Sequence, residues 1–331
     1  MSLLRHVNLP ELGLLAHQAR LRSNPDPVVT YILGGSLPVS AATASGSLPW
    51  SHLLQVARLG KQIGLAELCL YPDSTSLPGI SDWERLLPML HDEHETLACG
   101  LPGQEISRLA VHEDVSAGAV LQRLQRAGLG MIRGEDGFPA IGLSLKPAEW
   151  LDIHRSAHDL GIRTTACIPG SVSGSEEIVN LLLEIREEQD RTGLFCAMMT
   201  GASGRGSVTD PVRPAPARPE SPGSFHYLRM VATCRCVLDN VPRLQAAWEE
   251  QGSKIGEVAL RFGADDFGST GIRPDAPPDR NPAWLIEPRE IERLIRDSGF
   301  RPYQRDAYYQ EQPDDRVQSR PESWTARLPL I

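Results

Sequence analysis

The chain has 331 residues, 41% of them apolar, enough for one large α/β domain or two ordinary ones with a sizeable core. Its 33 basic against 42 acidic residues leave a net charge of -9, which offers no broad cationic face for the phosphates of nucleic acid. The opening MSLLRHVNLPEL lacks the apolar centre of a secretory leader, and no run reaches the roughly 18 apolar residues of a membrane span. The expectation is a soluble cytoplasmic protein acting on a small molecule, with a homodimer allowed and no membrane partner.

In chain order, an amphipathic helix over Leu9–Leu21 leads into a strand at Val28–Leu33. That strand opens into GGSLPVSAATASGS, Gly34 to Ser47, read as a loop of small residues suited to holding a ligand. Strand and helix patterns then alternate. Further strands are predicted at Ala66–Tyr71, Thr96–Leu101, Gly130–Arg133, Arg163–Ile168, Leu194–Met199, Val241–Trp248 and, shortest, Asp265–Gly268. Helices fall at Trp50–Ile63, Asp82–His91, Glu105–Ala110 with Ala117–Ala127, Pro147–Leu160, Ser175–Arg191, Tyr227–Leu238, Gly252–Phe262 and Pro288–Ser298. Short strands separated by helices need right-handed crossovers and a parallel sheet. Seven or eight such units in about 270 residues favour an α/β fold closed into a single (βα)8 TIM-type barrel, with outer helices and ligands at the C-terminal rim. We divide the chain into an N-terminal helix (1–27), the barrel (28–270), a C-terminal helix and closing segment (271–310) and a polar tail (311–331). The proline-rich DPVRPAPARPESPG, Asp210 to Gly223, reads as a semi-rigid loop suited to a lid.

Polar residues at the predicted strand exits are the candidate site. Asp265 and Asp266 lie in RFGADDFGST at the eighth exit, where an inward acid could serve as a base; the alternative is a turn capped by aspartate. Arg133, Glu135 and Asp136 in IRGEDG lie at the fourth exit, where an arginine can clamp a carboxylate or phosphate. Glu67, Tyr71 and Asp73 in ELCLYPD occupy the equivalent rim on the second strand. The six cysteines, Cys69, Cys99, Cys167, Cys196, Cys234 and Cys236, lack the paired spacing of a zinc site, and reduced, packed thiols are expected. His154 and His158, four apart on an outer helix, have the spacing of a zinc pair without its glutamate partner and read as packing or surface residues. No metal is assigned. EIREEQDR reads as an exposed helical face.

LDNVPRLQAAWEEQGSKIGEVALRFGADDFGST, Leu238 to Thr270, and WLDIHRSAHDLGIRTTACIPG, Trp150 to Gly170, resemble the radical S-adenosylmethionine enzymes of the futalosine menaquinone route. The resemblance is to dehypoxanthine futalosine cyclase in the first place, with aminofutalosine synthase and the deazaflavin-forming synthases resembling the chain as wider relatives. NPDPVVTYIL and SGFRPYQRDAYY extend the resemblance over nearly the whole chain. It implies a (βα)8-type barrel carrying a Cys-x3-Cys-x2-Cys motif after the first strand, whose thiolates hold a [4Fe–4S] cluster that in turn chelates S-adenosylmethionine. Here the matching loop, Gly34 to Trp50, has no cysteine, and the three positions fall near Thr43, Ser47 and Trp50. Leu68 and Cys69 stand where relatives carry a Gly-Gly pair, and the Gly-rich turn after the fourth strand reads IRGEDGFP. The expectation is therefore a divergent member without an iron–sulfur cluster. Asp265, Asp266, Glu135 and Arg133 would carry non-radical catalysis, while Gly34, Gly35, Thr43, Ser47, Glu67 and Tyr71 would line a cofactor or substrate space that could admit S-adenosylmethionine without iron. The competing expectation is a non-catalytic binding partner of an active radical enzyme.

Overall fold

The computed structural model describes residues 7–41, 50–73, 76–134, 145–168, 172, 174–200, 223–272 and 284–311. Its strands, all paired in parallel, are β1 (Val28–Ile32), β2 (Gly34–Val39), β3 (Glu67–Pro72), β4 (Ala98–Pro102), β5 (Met131–Arg133), β6 (Arg163–Ala166), β7 (Phe195–Met199), β8 (Arg243–Gln245), β9 (Asp266–Ser269) and β10 (Arg301–Gln304). The hydrogen-bonded order is β10-β1-β9-β8-β7-β6-β5-β4-β3-β2.

Backbone bonding shows how this order closes. β1 and β2 are separated only by Leu33 and form one bent stave. On one edge, the amide of Thr30 donates to the Asp265 carbonyl and the Ile32 carbonyl accepts from Thr270, tying the stave to β9. On the other edge, the carbonyls of Pro27 and Tyr31 accept from Arg301 and Arg305, while that of Leu33 accepts from Ala66. β10 and β3 therefore share one edge, β10 beside the start of the stave and β3 beside its end. The result is an eight-stave α/β TIM-type barrel with β10 added at its N-terminal end.

Side chains alternate across each stave, so one set packs under the helices and the other faces the lumen. Leu37, Val39, Leu68, Leu70, Cys99, Leu101, Ile132, Phe195 and Phe267 belong to the large outer core, together with the fully buried Trp83 and Trp150 from the helices. The helices start where local chemistry satisfies their first amides: the Asn8 side chain accepts from Glu11 N ahead of Leu9–Ser23, and Ser116 caps Ala117–Arg126.

Three expectations need correction. Gly34 to Val39 is the second half of a stave rather than loop, because its ladder with β3 continues through six residue pairs, Gly34↔Glu67 to Val39↔Pro72. The seventh-position strand ends at Gln245, and Trp248–Gln251 is a short helix. In EIREEQDR, Glu188 is 2% exposed rather than solvated, because it accepts from His158 Nδ1 at 2.7 Å. Asp210 to Gly223 lies outside the described residues apart from Gly223, and the tail beyond Glu311 lies outside them entirely.

The candidate site in the barrel lumen

The N-terminal end of the barrel is sealed. After β10 the chain turns beneath the staves, and Ala307 packs against the lumen-facing Ile32, Ala98 and Met131. Arg163, at the start of β6, lies over the Tyr308 ring at 4.9 Å, and Arg243, at the start of β8, pairs with Glu311 at 2.9 Å. Among the described residues the C-terminal end is the more exposed one, as burial along the staves shows. In β2 the outward Gly35, Leu37 and Val39 are buried, whereas Ser36 is exposed and Pro38 half-buried. The last lumen-facing residues of β3 and β8, Tyr71 and Gln245, are half-buried while their neighbours are not, and so is Ser269 at the end of β9. Solvent therefore reaches a bowl bordered by β2, β3, β8 and β9.

Beneath the bowl lies a polar layer made of two ion pairs. Glu67 of β3 accepts from Arg133 of β5, whose other terminal nitrogen reaches Met199 Sδ at 3.3 Å. Asp266 of β9 accepts from Arg305 Nε at 2.5 Å and Nη2 at 3.2 Å, from Thr30 Oγ1 at 2.6 Å and from its neighbour Gly268 N at 2.9 Å. Arg305 also stacks on the Tyr309 ring, its guanidinium carbon 3.5 Å from the ring centre. All four ionic side chains are buried, as is Tyr309. Two cations against two carboxylates leave the layer formally neutral. Its hydrogen bonds offset the cost of removing these charges from water.

The adjacent aspartates face opposite ways. Asp265 points out of the barrel, accepting from Arg235 Nη2 at 2.8 Å, Leu244 N at 2.7 Å and Asn24 Nδ2 at 2.5 Å. It ties the helices Ser224–Val237 and Leu9–Ser23 to the sheet and has no access to the lumen. Asp266 does face inward, but both its oxygens are engaged and it is 0% exposed. Neither is arranged as a free base.

Gly34 and Gly35 are explained by packing. A β-carbon on Gly34 would meet the Glu67 carbonyl at 3.0 Å, and one on Gly35 would meet Ile272 N at 2.6 Å, so both glycines permit close backbone approach. Tyr71 stands in the bowl, where burial foremost, then Cys69 and Asp73, pushes its phenol up to about 12. Thr43, Ser47, Glu135 and Asp136 lie outside the described residues. The structure thus brings Glu67, Arg133, Asp266 and Tyr71 to one lumen and turns Asp265 away. Sequence reasoning missed Gln245, Arg305 and Tyr309. Gln245 was legible as a polar residue between the apolar Leu244 and Ala246, but Arg305 and Tyr309 follow a strand too polar to be recognised as one.

All six cysteines are among the described residues, so the fit of a three-thiolate cluster is decided by their positions. Cys69 is buried in β3, Cys99 and Cys234 lie in the outer core, Cys196 packs against Tyr309, Cys167 donates to the Gly134 carbonyl, and Cys236 packs beside the helix Leu9–Ser23. Among the described residues no group of three or more His, Cys, Asp or Glu is placed to hold a metal ion. The donor set does not fit the cluster. Burial raises the Cys99 and Cys234 thiols to about 12 and Cys196 to about 11, which keeps them protonated and poor nucleophiles at neutral pH.

His154 and His158 pack beneath the outer helices, as the sequence suggested. Both are buried around Phe195, His154 at 5.6 Å and His158 edge-on at 4.7 Å between ring centres. His158 bonds Glu188 and Thr164 Oγ1.

Residues 218–317 match the family model described as the CofH/MqnC C-terminal region. The chain is 29% identical to a cyclic dehypoxanthine futalosine synthase of Streptomyces coelicolor over 70% of its own length and 59% of that protein, so it spans under two thirds of this relative. It is 26% identical to the Halalkalibacterium halodurans protein of the same name, over 91% of this chain and 86% of the other. It is also 26% identical to an Archaeoglobus fulgidus 5-amino-6-(D-ribitylamino)uracil–L-tyrosine 4-hydroxyphenyl transferase, over 75% of each. No helix among the described residues is long and apolar enough to cross a membrane.

Proposed function

From the premise that the chain is a divergent relative of the futalosine-branch radical S-adenosylmethionine enzymes, we propose that it is a biosynthetic enzyme that has kept the barrel and its C-terminal bowl but works without the iron–sulfur cluster. One observation carries the reading: among the described residues, solvent reaches the bowl and a paired polar layer floors it, while the segment from Gly34 to Trp50 contains no thiol. A small molecule entering the bowl meets fixed dipoles and charges that do not have to reorganise, which favours positional and electrostatic catalysis over radical generation. Arg133, backed by Glu67, is the group we assign to orient or polarise the substrate. Tyr71 is a neutral hydroxyl donor at neutral pH. Glu135, two residues beyond Arg133, is the candidate proton carrier, and Asp265 and Asp266 hold the frame. S-adenosylmethionine bound without iron is the cofactor this reading allows, at the bowl wall formed by β2 and β3.

A specific observation favours the alternative of a non-catalytic binding partner: two described lumen carboxylates, Glu67 and Asp266, are already engaged by arginines. One experiment separates the readings. Purified protein is mixed with S-adenosylmethionine and, separately, with dehypoxanthine futalosine, and both thermal stability and product formation are followed. Ligand at about 100 times its dissociation constant stabilises the folded state by about 2.7 kcal/mol. Stabilisation with turnover supports the enzyme, stabilisation without product supports the binding partner, and no stabilisation by either compound removes this family's ligands from the bowl.

A further inference from the structure

The Gln245 side chain sits where the paired layer meets the open bowl, and its amide orientation is fixed from below. Tyr309 donates its hydroxyl to Gln245 Oε1 at 2.5 Å, and Arg305 Nη2 faces the same oxygen at 3.4 Å. A guanidinium has only donors, so the atom turned toward it is the carbonyl oxygen and not the amide nitrogen. The amide nitrogen is therefore directed away from the floor. It lies beside Gly268, where a β-carbon would come within 3.2 Å of Nε2, and Gly268 has a φ of +98° that disfavours any side chain. No described residue accepts from Nε2, and Gln245 is half-buried between the buried Leu244 and Ala246.

From this geometry we infer that Gln245 is a ligand-binding residue of the bowl. It presents its amide protons to an uncharged oxygen acceptor, a ketone or amide carbonyl, and Tyr309 and Arg305 are positioning residues that hold it in that orientation. The ligand class follows from charge. Glu67 and Asp266 already neutralise Arg133 and Arg305, so a carboxylate or phosphate reaching the polar layer would shed water without gaining an uncommitted cation among its described residues, whereas a neutral carbonyl needs only a donor. This inference rests on the reading of the bowl as the working site and adds the residue that discriminates there.

The test uses acetamide and acetate, the smallest matched pair of neutral and anionic acceptors, titrated into the full-length protein labelled with nitrogen-15. The Gln245 side-chain amide signal is identified by its loss in Gln245→Glu, which keeps an oxygen facing Arg305, with Gln245→Met as a second assignment variant. The backbone amides of Ser36 and Tyr71 report independently whether either probe enters the bowl. Acetamide is expected to shift the Gln245 side-chain signal about threefold more steeply than acetate does, and Tyr309→Phe to weaken the response by a similar factor. Movement at Ser36 and Tyr71 with a silent Gln245, an equal or stronger response to acetate, or an unchanged response in Tyr309→Phe would overturn the inference and leave the bowl intact. Silence at all three positions would overturn the bowl reading as well.

Discussion

The two neighbouring aspartates show how one residue step decides a role. Asp265 and Asp266 are indistinguishable by chemistry, and only the phase of β9 sends one to the helices and the other to the lumen. The pattern of RFGADDFGST marked the pair but not the phase, because the strand is four residues long and its glycine and serine carry no apolar alternation. Among the described residues, Asp266 is the only carboxylate bonded to the buried Arg305 guanidinium. Asp266→Asn should therefore lower the unfolding free energy by about 3–5 kcal/mol, the cost of stranding one member of a buried pair. Arg293→Ala, which removes the exposed pairs with Glu290 and Asp297, should cost at most about 1 kcal/mol. Urea denaturation of both variants checks this. An Asp266→Asn protein as stable as wild type would show that the carboxylate is held ready for chemistry and not for the frame.

Elements with strong periodicity were legible in the sequence, and those held by tertiary contacts were not. Trp50–Ile63 and Pro147–Asp159 alternate apolar and polar faces clearly enough to be placed almost to the residue. Gly34–Val39 is a strand only because β3 supplies its ladder and Ile272 its neighbour, and neither contact is encoded in its small residues. The helix Pro147–Asp159 also carries a titratable liability. His154 is 0% exposed, its ring tilted against that of Trp150 with 4.0 Å between ring centres, and neither ring nitrogen finds a partner. Burial foremost, with His158 second, holds its pKa well below the ordinary histidine range; burial also lowers His158 despite the opposing pull of Glu188. Both groups take up protons more readily when unfolded. Their contribution is therefore fully retained above the unfolded value of about 6.5 and lost as pH falls below it. Unfolding free energy measured from pH 8 downward should decline steadily below about 6.5. His154→Leu should flatten that decline and raise stability at neutral pH by about 1 kcal/mol, since an unsatisfied buried polar group is removed. An identical slope in His154→Leu would place the acid sensitivity elsewhere.

At the scale of the whole molecule, the count of alternating segments was enough to predict the barrel, because eight right-handed crossovers leave few other closures. The floor was not foreseeable: β10 and the turn through Glu311 are polar, and they are ordered by the staves they plug. That architecture makes the question of the cluster one of donor chemistry rather than of fold. The six thiols are distributed over the outer core, the lumen and the helices, and no hydroxyl or indole at Thr43, Ser47 or Trp50 substitutes for a thiolate. Trp50 is committed elsewhere, donating its indole NH to the Ser40 carbonyl at 3.0 Å at the start of Trp50–Ile63, with Arg85 over its ring. Anaerobic incubation with iron and sulfide should therefore leave the protein colourless and without stoichiometric iron. The triple variant Thr43→Cys, Ser47→Cys, Trp50→Cys recreates the Cys-x3-Cys-x2-Cys spacing on an otherwise closed barrel and should take up iron and develop a charge-transfer absorption. If both proteins stay colourless, the rest of the bowl has also lost the shape that shelters a cluster. If the parent protein itself acquires a redox-active iron centre that cleaves S-adenosylmethionine, the cluster is bound through groups that the thiol positions do not reveal, and the cluster-free reading fails.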